Sequence, residues 1–395
     1  MRNFIFISPD FPENYWKFCK QLQNDGFNVL GIGDCPYDAL KEEVKSSVNE
    51  YYWVHNLENY DEVYRAVAFF IFKYGQVEYL ESNNEYWLER DAALRTAFNI
   101  KTGFMTKDVK KIKYKSHMKK YYEKAGVAVA RHCLVKNLKT CQKFIESVGY
   151  PVIVKPDNGV GASDTHKICN EQQLISFLEN KLPVQYIMEE LIEGEVCTYD
   201  AIVDGSGNPV FETGNVTPHS LMDIVNEGGE CLFYILNNPN EEVVEKGRAT
   251  LKAFGVKNRF VHFEFFRLTK DQPAGQKGDV VALEVNMRPS GGISPDMMNY
   301  ANSVDVYKIW ADVLAYGSSE VKKGEKYYCA FAGRRDGKDY LLSDADIKEK
   351  YAENVKITGR IPDVMSNTMG NSMYVASFKT KSAMNEFYTE ILKTK

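Results

Sequence analysis

The sequence predicts an α/β region followed by an α+β region, and three observations carry that prediction. Residues 1–110 alternate short apolar runs with stretches of helical spacing, the pattern of a parallel sheet with helices on its faces. Further on, strands come in pairs joined by turn-rich spacers, the pattern of antiparallel hairpins. Residues 319–395 then mix short strands with helices near 344–351 and 382–393, a small α+β module. At 395 residues the chain exceeds one simple core, so two or three domains are expected.

The elements follow in order. "FIFIS" (4–8), "FNVLGIG" (27–33), "YYWVH" (51–55) and "QVEYLES" (76–82) read as strands, and 11–25, 60–74 and 84–98 as helices. No G-x-G-x-x-G follows the first strand, so this region reads as scaffold or substrate wall rather than a dinucleotide site. "KDVKKIKYKSHMKKYYEKAGV" (107–127) reads as a lysine-rich helix, most of it solvated. A strand, a helix and the strand 151–155 lead into a glycine-rich loop and a return strand near 165–168. "QYIMEELIEGEVCTYDAIVDGSGNPVFETGNV" reads as a strand, a connection and a hairpin turning at "DGSGN". A helix at 241–255 precedes strands 259–267 and 279–287, and a helix around 303–316 ends near Gly317.

Composition excludes several function classes. The net charge of −5 gives no general attraction to nucleic acid or anionic membrane, and the basic stretch is local. No window approaches 18 apolar residues, and the N-terminus reads as a first strand rather than a leader. The eight cysteines lack C-x-x-C pairs, which argues against a zinc site or a disulfide framework and fits a reducing cytoplasm.

Three constellations carry chemistry. Glu284, Asn286 and Arg288 stand at every second position of a strand, before a turn through Pro289, Ser290, Gly291 and Gly292. The preceding strand, "FVHFEFFR", puts His262 and Glu264 on one face. If the two strands pair, Glu264 and Glu284 converge, and a cation between them relieves the repulsion. Mg²⁺ suits two carboxylates and the Asn286 oxygen, with Mn²⁺ as the alternative ion. In "KPDNGVGASD" (155–164), Gly159 and Gly161 let consecutive N–H groups face an anion, and Lys155 ends the strand aimed at the same place. The glycines alone fit a plain hairpin; with Lys155 and the carboxylate strand, phosphate cradling is the favoured reading. In "YIMEELIEGE" (186–195), apolar residues around acids fit either a strand end or a hinge that meets an adenine edge.

Together and in this order, the pieces resemble the ATP-grasp superfamily of carboxylate–amine and carboxylate–thiol ligases. The resemblance covers about residues 1–320 and is specific in "VIVKPDNGVGA", "MEELIEGE" and "VHFEFF…ALEVNMRPSGG". The branch with biotin carboxylase, carbamoyl-phosphate synthetase large chains and amino-acid ligases is most similar. The resemblance implies an ATP-grasp fold with an N-terminal Rossmann-like pre-grasp domain (1–110), a grasp domain (111–318, divided into 111–185 and 186–318) and a small C-terminal α+β lobe (319–395). It implies ATP and Mg²⁺ as cofactors. Lys115, eleven residues before Gly126, and Lys155 match the phosphate-binding lysines. Gly159, Gly161, Ala162 and Ser163 match the loop over the phosphates. Glu189, Glu190 and Ile192 match the adenine hinge, with backbone atoms of Glu190 and Ile192 doing most of the reading, and Glu195 matches the ribose carboxylate. Glu264, Glu284 and Asn286 match the metal ligands, and Arg288 the arginine that holds the group being activated.

Substrate contacts are expected from Gly291, Gly292, His219 and His262, the last read first as a structural histidine, and "ISPDMMN" is expected to line the pocket. Arg334 and Arg335 read as a surface pair, with contact to an anionic substrate as the alternative. The loop departs from the family pattern at "ASDTHK", and the chain has neither an Ala-Met-Lys-Met motif nor a second grasp module. The implied activity is ATP-dependent ligation of a small carboxylate, activated as an acyl-phosphate with release of ADP and phosphate, to an amine, with an amino acid among the expected substrates. Bicarbonate activation and a non-catalytic ATP-binding regulator are the alternatives. The expected partners are small molecules, without nucleic acid or membrane, and a homodimer is left open.

Overall fold

The computed structural model describes residues 2–159, 164–218, 229–322 and 324–395. Among the described residues the strands form three sheets. The first holds Arg2–Ile7, Phe27–Gly33, Glu50–Trp53 and Val77–Glu81, all parallel, in the order third, second, first, fourth. Helix Tyr60–Tyr74 shows why this region was legible. Val63, Ala66, Val67 and Phe70 recur at helical spacing and are buried. The Asn59 side chain accepts the N–H groups of Asp61 and Glu62 at the start, and Gly75 ends the helix with φ 81°.

The second sheet is antiparallel and orders His132–Leu134, Tyr186–Glu190, Val152–Pro156 and His166–Ile168. Helices Leu138–Val148 and Glu171–Asn180 share its core through Cys141, Ile145, Leu174 and Phe177. The boundary expected between residues 185 and 186 therefore falls in front of a strand that belongs to the lid-type sheet. Tyr186–Glu190 pairs on both sides within that sheet, which completes its backbone hydrogen bonds.

Among the described residues the third sheet has ten strands and carries Gly194–Val203, Arg259–Leu268 and Val280–Asn286 side by side toward one end. The C-terminal strands do not form a sheet of their own. Tyr328–Arg334 pairs with Leu232–Ile235, and Ser372–Phe378 and Val355–Arg360 follow outward. Ala330, Ala332, Tyr374 and Ala376 are buried in one cluster with Tyr199 and Phe263, so the expected lobe at 319–395 shares the central core. Helix Glu241–Phe254 covers this face so closely that a Cβ on Gly247 would stand 2.2 Å from the Tyr199 ring. No helix of the described residues is long and apolar enough to cross a membrane.

Arg334 is neither a surface residue nor a substrate contact. It is buried, donates to the Ile391 carbonyl (2.7 Å) and the Leu342 carbonyl (2.8 Å), and stacks on Tyr340. Arg335 donates to the carbonyls of Gly229 (2.8 Å) and Asn367 (2.9 Å).

Buried charge joins the first sheet to the third. Glu81 pairs with Arg95 (3.1 Å) and with Arg259, and Arg259 also donates to the Met287 carbonyl (2.8 Å). Beside them, Asp91 accepts from the Ser82 N–H (3.0 Å) and hydroxyl (2.6 Å). Burial pushes the Asp91 carboxyl up to about 7, against the lowering effect of Arg95. The folded state thus holds this proton more tightly than the unfolded chain, where an Asp titrates near about 4. The stability it contributes is full below about pH 4 and is lost as pH rises through the folded value. Asp91→Asn is expected to gain stability relative to the parent between pH 5 and pH 8, read as a widening difference in Tm. A constant difference over that range would contradict the shift.

Candidate active site

The site is assembled where the third sheet faces the second. Strands Arg259–Leu268 and Val280–Asn286 pair antiparallel, with Glu264 opposite Glu284 and His262 opposite Asn286. The register shifts after Glu264, so that Phe265 pairs with Ala282 and Leu283 is the extra residue of a bulge. This bulge changes which face each residue takes. Ala282 and Val285 both point into the core, three positions apart, while Glu284 and Asn286 join Glu264 on the other face. Strict alternation would have sent Glu284 to the same side as Ala282.

Behind the carboxylates stands His262. Its Nδ1 is 2.7 Å from Asp200 Oδ1 and its Nε2 is 3.2 Å from Glu264 Oε1. Asp200 is fully buried and also accepts from the Thr198 hydroxyl. Burial opposes a charge on His262, but Asp200 and Glu264 outweigh it and raise the imidazole to about 9. Glu264 is held below the usual carboxylate range despite its burial, through its hydrogen bond to His262. With both ring nitrogens engaged, His262 supports Glu264 and does not stand as a free substrate contact.

The lysine-rich segment is less solvated than expected. It forms helices Val109–Lys113 and Lys115–Lys124, and Lys113, Lys115 and Lys119 are buried. Each has a carboxylate partner, which is the condition for burying an ammonium. Lys115 Nζ lies 3.0 Å from Glu284 Oε1 and donates to the Gly159 carbonyl (2.8 Å). Ser116 fixes the helix start by donating through its N–H (2.8 Å) and hydroxyl (2.7 Å) to Asp157. Lys155 Nζ lies 2.7 Å from Glu189 Oε2, and Lys119 Nζ lies 2.6 Å from Glu189 Oε1. Burial would raise the Glu189 carboxyl, yet the two lysines hold it well below its ordinary value. Sequence reasoning passed over Lys119; its signal was the four-residue spacing from Lys115, which puts both on one helix face.

The hinge is partly committed to the fold. Glu190 accepts from the Arg131 N–H (2.8 Å) and from its guanidinium (2.8 and 2.6 Å), and its own N–H donates to the Arg131 carbonyl (3.0 Å). Of the two Glu190 backbone groups, the N–H is thus taken up by Arg131, which leaves its carbonyl as the atom of Glu190 for the expected reading of adenine. The Ile192 N–H has no partner among the described residues. The Ile192 side chain packs with Ala130, Leu268 and Val281, an apolar surface on the face that carries Glu264. Glu195 is not brought to the site. It pairs with Arg267 across the ladder, so its side chain shares the face of Cys197 and Phe265, opposite to Glu264.

Arg288 donates to the Pro289 carbonyl (2.8 Å) and lies 3.4 Å from Asn286 Oδ1. Its Nε is 3.7 Å from Glu85 Oε2, and Lys113 holds the other Glu85 oxygen (2.8 Å). Glu85, Lys113 and Asp200 had no signal in sequence, because their partners lie on other elements. The Gly292 carbonyl accepts from Asn14 of the first domain (3.0 Å), and space beside Gly291 is open. "ISPDMMN" divides between the core and a pocket, which Asp296 and Asn299 line together with Trp16, Lys17 and Tyr307. It starts helix Ser294–Asn302, where Met297 and Met298 enter the core and Asp296 is bound by Lys17, Asn14 and Tyr307. Gly161, Ala162, Ser163 and His219 lie outside the described residues.

Among the described residues, no group of three or more His, Cys, Asp or Glu side chains is placed to hold a metal ion. Glu264, Glu284 and Asn286 make a different set, two carboxylates and an amide oxygen on one face. Such a set fits Mg²⁺ where phosphate oxygens and waters complete the octahedron.

These features gather buried lysines and paired carboxylates from two antiparallel sheets into one site, and the comparisons place such a site in a class. Residues 113–292 match the ATP-grasp domain family, so the chain carries an ATP-grasp domain. It is similar to the L-arginine-specific L-amino acid ligase of Bacillus subtilis, 23% identical over 326 residues, 80% of this chain and 76% of that protein. It is 31% identical over 103 residues to the carbamoyl phosphate synthase large chain of Agathobacter rectalis, a match spanning 24% of this chain and 10% of that one. The structure resembles the L-amino acid ligase from Bacillus licheniformis with a TM-score of 0.72 and 14% identity over 99% of this chain and 97% of the other, a likeness of fold.

Proposed function

We propose that this protein is an ATP-dependent ligase that activates a small carboxylate as an acyl-phosphate, releases ADP and phosphate, and joins the acyl group to an amine. The observation that carries the reading is the opposition of Glu264 and Glu284, with Lys115 reaching Glu284 from the helix packed on that strand. A bound divalent cation supplies charge neutralisation to the phosphates there. Glu264, Glu284 and Asn286 are the residues that would hold it. Lys115 and Lys155 bring positive charge to phosphate oxygens, and the Ile192 N–H and its apolar surroundings suit an adenine edge. Arg288, which lies 3.7 Å from Glu85, orients the carboxylate through paired N–H donors. The first domain reaches the Gly291–Gly292 turn through Asn14 and forms one wall of the substrate space. The amino-acid ligase among the relatives supports an amino acid as one substrate.

The test is phosphate release from MgATP against a panel of amino acids, dicarboxylates and bicarbonate. ADP and phosphate formed only when a carboxylate and an amine are both present is the expected result. Formation of AMP would rule out the acyl-phosphate route. ATP binding without turnover on any pair would favour a regulatory role.

A further inference from the structure

Glu189 lies between two ammonium groups, and the two are not equivalent. The Lys119 side chain is 2% exposed and the Lys155 side chain 11% exposed, so an incoming anion reaches Lys155 and not Lys119. Each lysine takes one oxygen of the same carboxylate, at 2.6 and 2.7 Å. Two ammoniums against one carboxylate leave one positive charge. Without Lys119 the remaining pair of Lys155 and Glu189 is neutral, and the buried setting screens that loss poorly. The neighbouring lysine does not compensate, because Lys115 is matched by Glu284. The two helix residues thus have separate tasks: Lys115 faces the metal carboxylates, and Lys119, one turn on, faces Glu189.

We infer that Lys119 is a positioning residue for nucleotide binding, which neutralises Glu189 so that Lys155 keeps a net positive charge for a phosphate group. Lys119 acts through Glu189 and touches no nucleotide. The inference rests on the ATP reading above and adds a residue and a role to it.

Binding of MgADP to the full-length protein, measured by calorimetry, tests it. Lys119→Met is expected to weaken binding by about tenfold or more, because Lys155 is left in a neutral pair. The double variant Lys119→Met/Glu189→Gln restores one net charge at Lys155, and its affinity is expected to return to within about threefold of the parent. A merely structural role for Lys119 predicts no such recovery. Unchanged binding by Lys119→Met, or a double variant still about tenfold weak, overturns the inference. Should Lys119→Met fail to fold, the double variant decides alone by the same criterion. A parent protein that binds no MgADP overturns the ATP reading and this inference with it. A parent that binds MgADP with Lys119→Met unaffected overturns only the inference.

Discussion

Glu284→Ala is expected to remove ATP-dependent turnover, by about 10³-fold or more, while the protein stays folded. Three features set the size of this effect. Glu284 stands opposite Glu264, so its loss removes half of the carboxylate charge that a divalent cation would meet. It is the carboxylate partner of Lys115, whose ammonium among the described residues then keeps the Gly159 carbonyl. The bulge at Leu283 exists where this side chain must leave the core face, and no other acid of that strand takes the same face. Glu284→Gln keeps the volume and loses the charge, and the same drop is expected of it. Phosphate release and thermal unfolding together check the prediction. A variant that retains more than about a tenth of the parent rate would remove Glu284 from the metal set. The fold is expected to survive because Glu264 keeps His262 and Asn286.

Arg259→Met is expected to destabilise the protein by about 3–5 kcal/mol. Arg259 is buried, pairs with Glu81 of the first sheet and donates to the Met287 carbonyl of the third. Methionine fills the space but leaves Glu81 with Arg95 alone and the Met287 carbonyl without this donor. Because Met287 precedes Arg288, the change is also expected to loosen the backbone of Arg288. Urea unfolding reads the loss. Replacing Glu81 as well, in Arg259→Met/Glu81→Met, is expected to recover part of it, since no half-paired charge then remains. A loss below about 1 kcal/mol would mean that Arg95 satisfies Glu81 unaided.

Much of this architecture was legible because its signals are local. The strand at 27–33 and the helix at 60–74 have the bounds their periodicity indicated, with Asn59 and Gly75 as visible stops. The pairing of the strands around Glu264 and Glu284 was legible for the same reason, since only a polar spacer separates them. The bulge within that pair was not, because a one-residue shift leaves no mark on composition. Lys119 is not singled out by a lysine-rich stretch read as mostly solvated; its spacing from Lys115 puts it on the same helix face, but that spacing does not name the buried acid it meets. Glu195 matches a motif position but takes the opposite face of its strand, and Met297 and Met298 of "ISPDMMN" go to the core while Asp296 and Asn299 line a pocket. The C-terminal strands looked like a separate lobe because local patterns do not reveal which sheet edge a strand joins.

By itself, then, the sequence determined the kinds and order of most elements and the acids that oppose one another in the hairpin of Glu264 and Glu284. Only the tertiary structure decided which charges are buried together. Lys115 meets Glu284 across 169 residues, Lys119 and Lys155 share Glu189, His262 is held by Asp200, and Arg288 lies 3.7 Å from Glu85. The physical reason is range. Helix and strand preferences act over a few residues, whereas burying an ion requires a partner whose place is set by how three sheets pack.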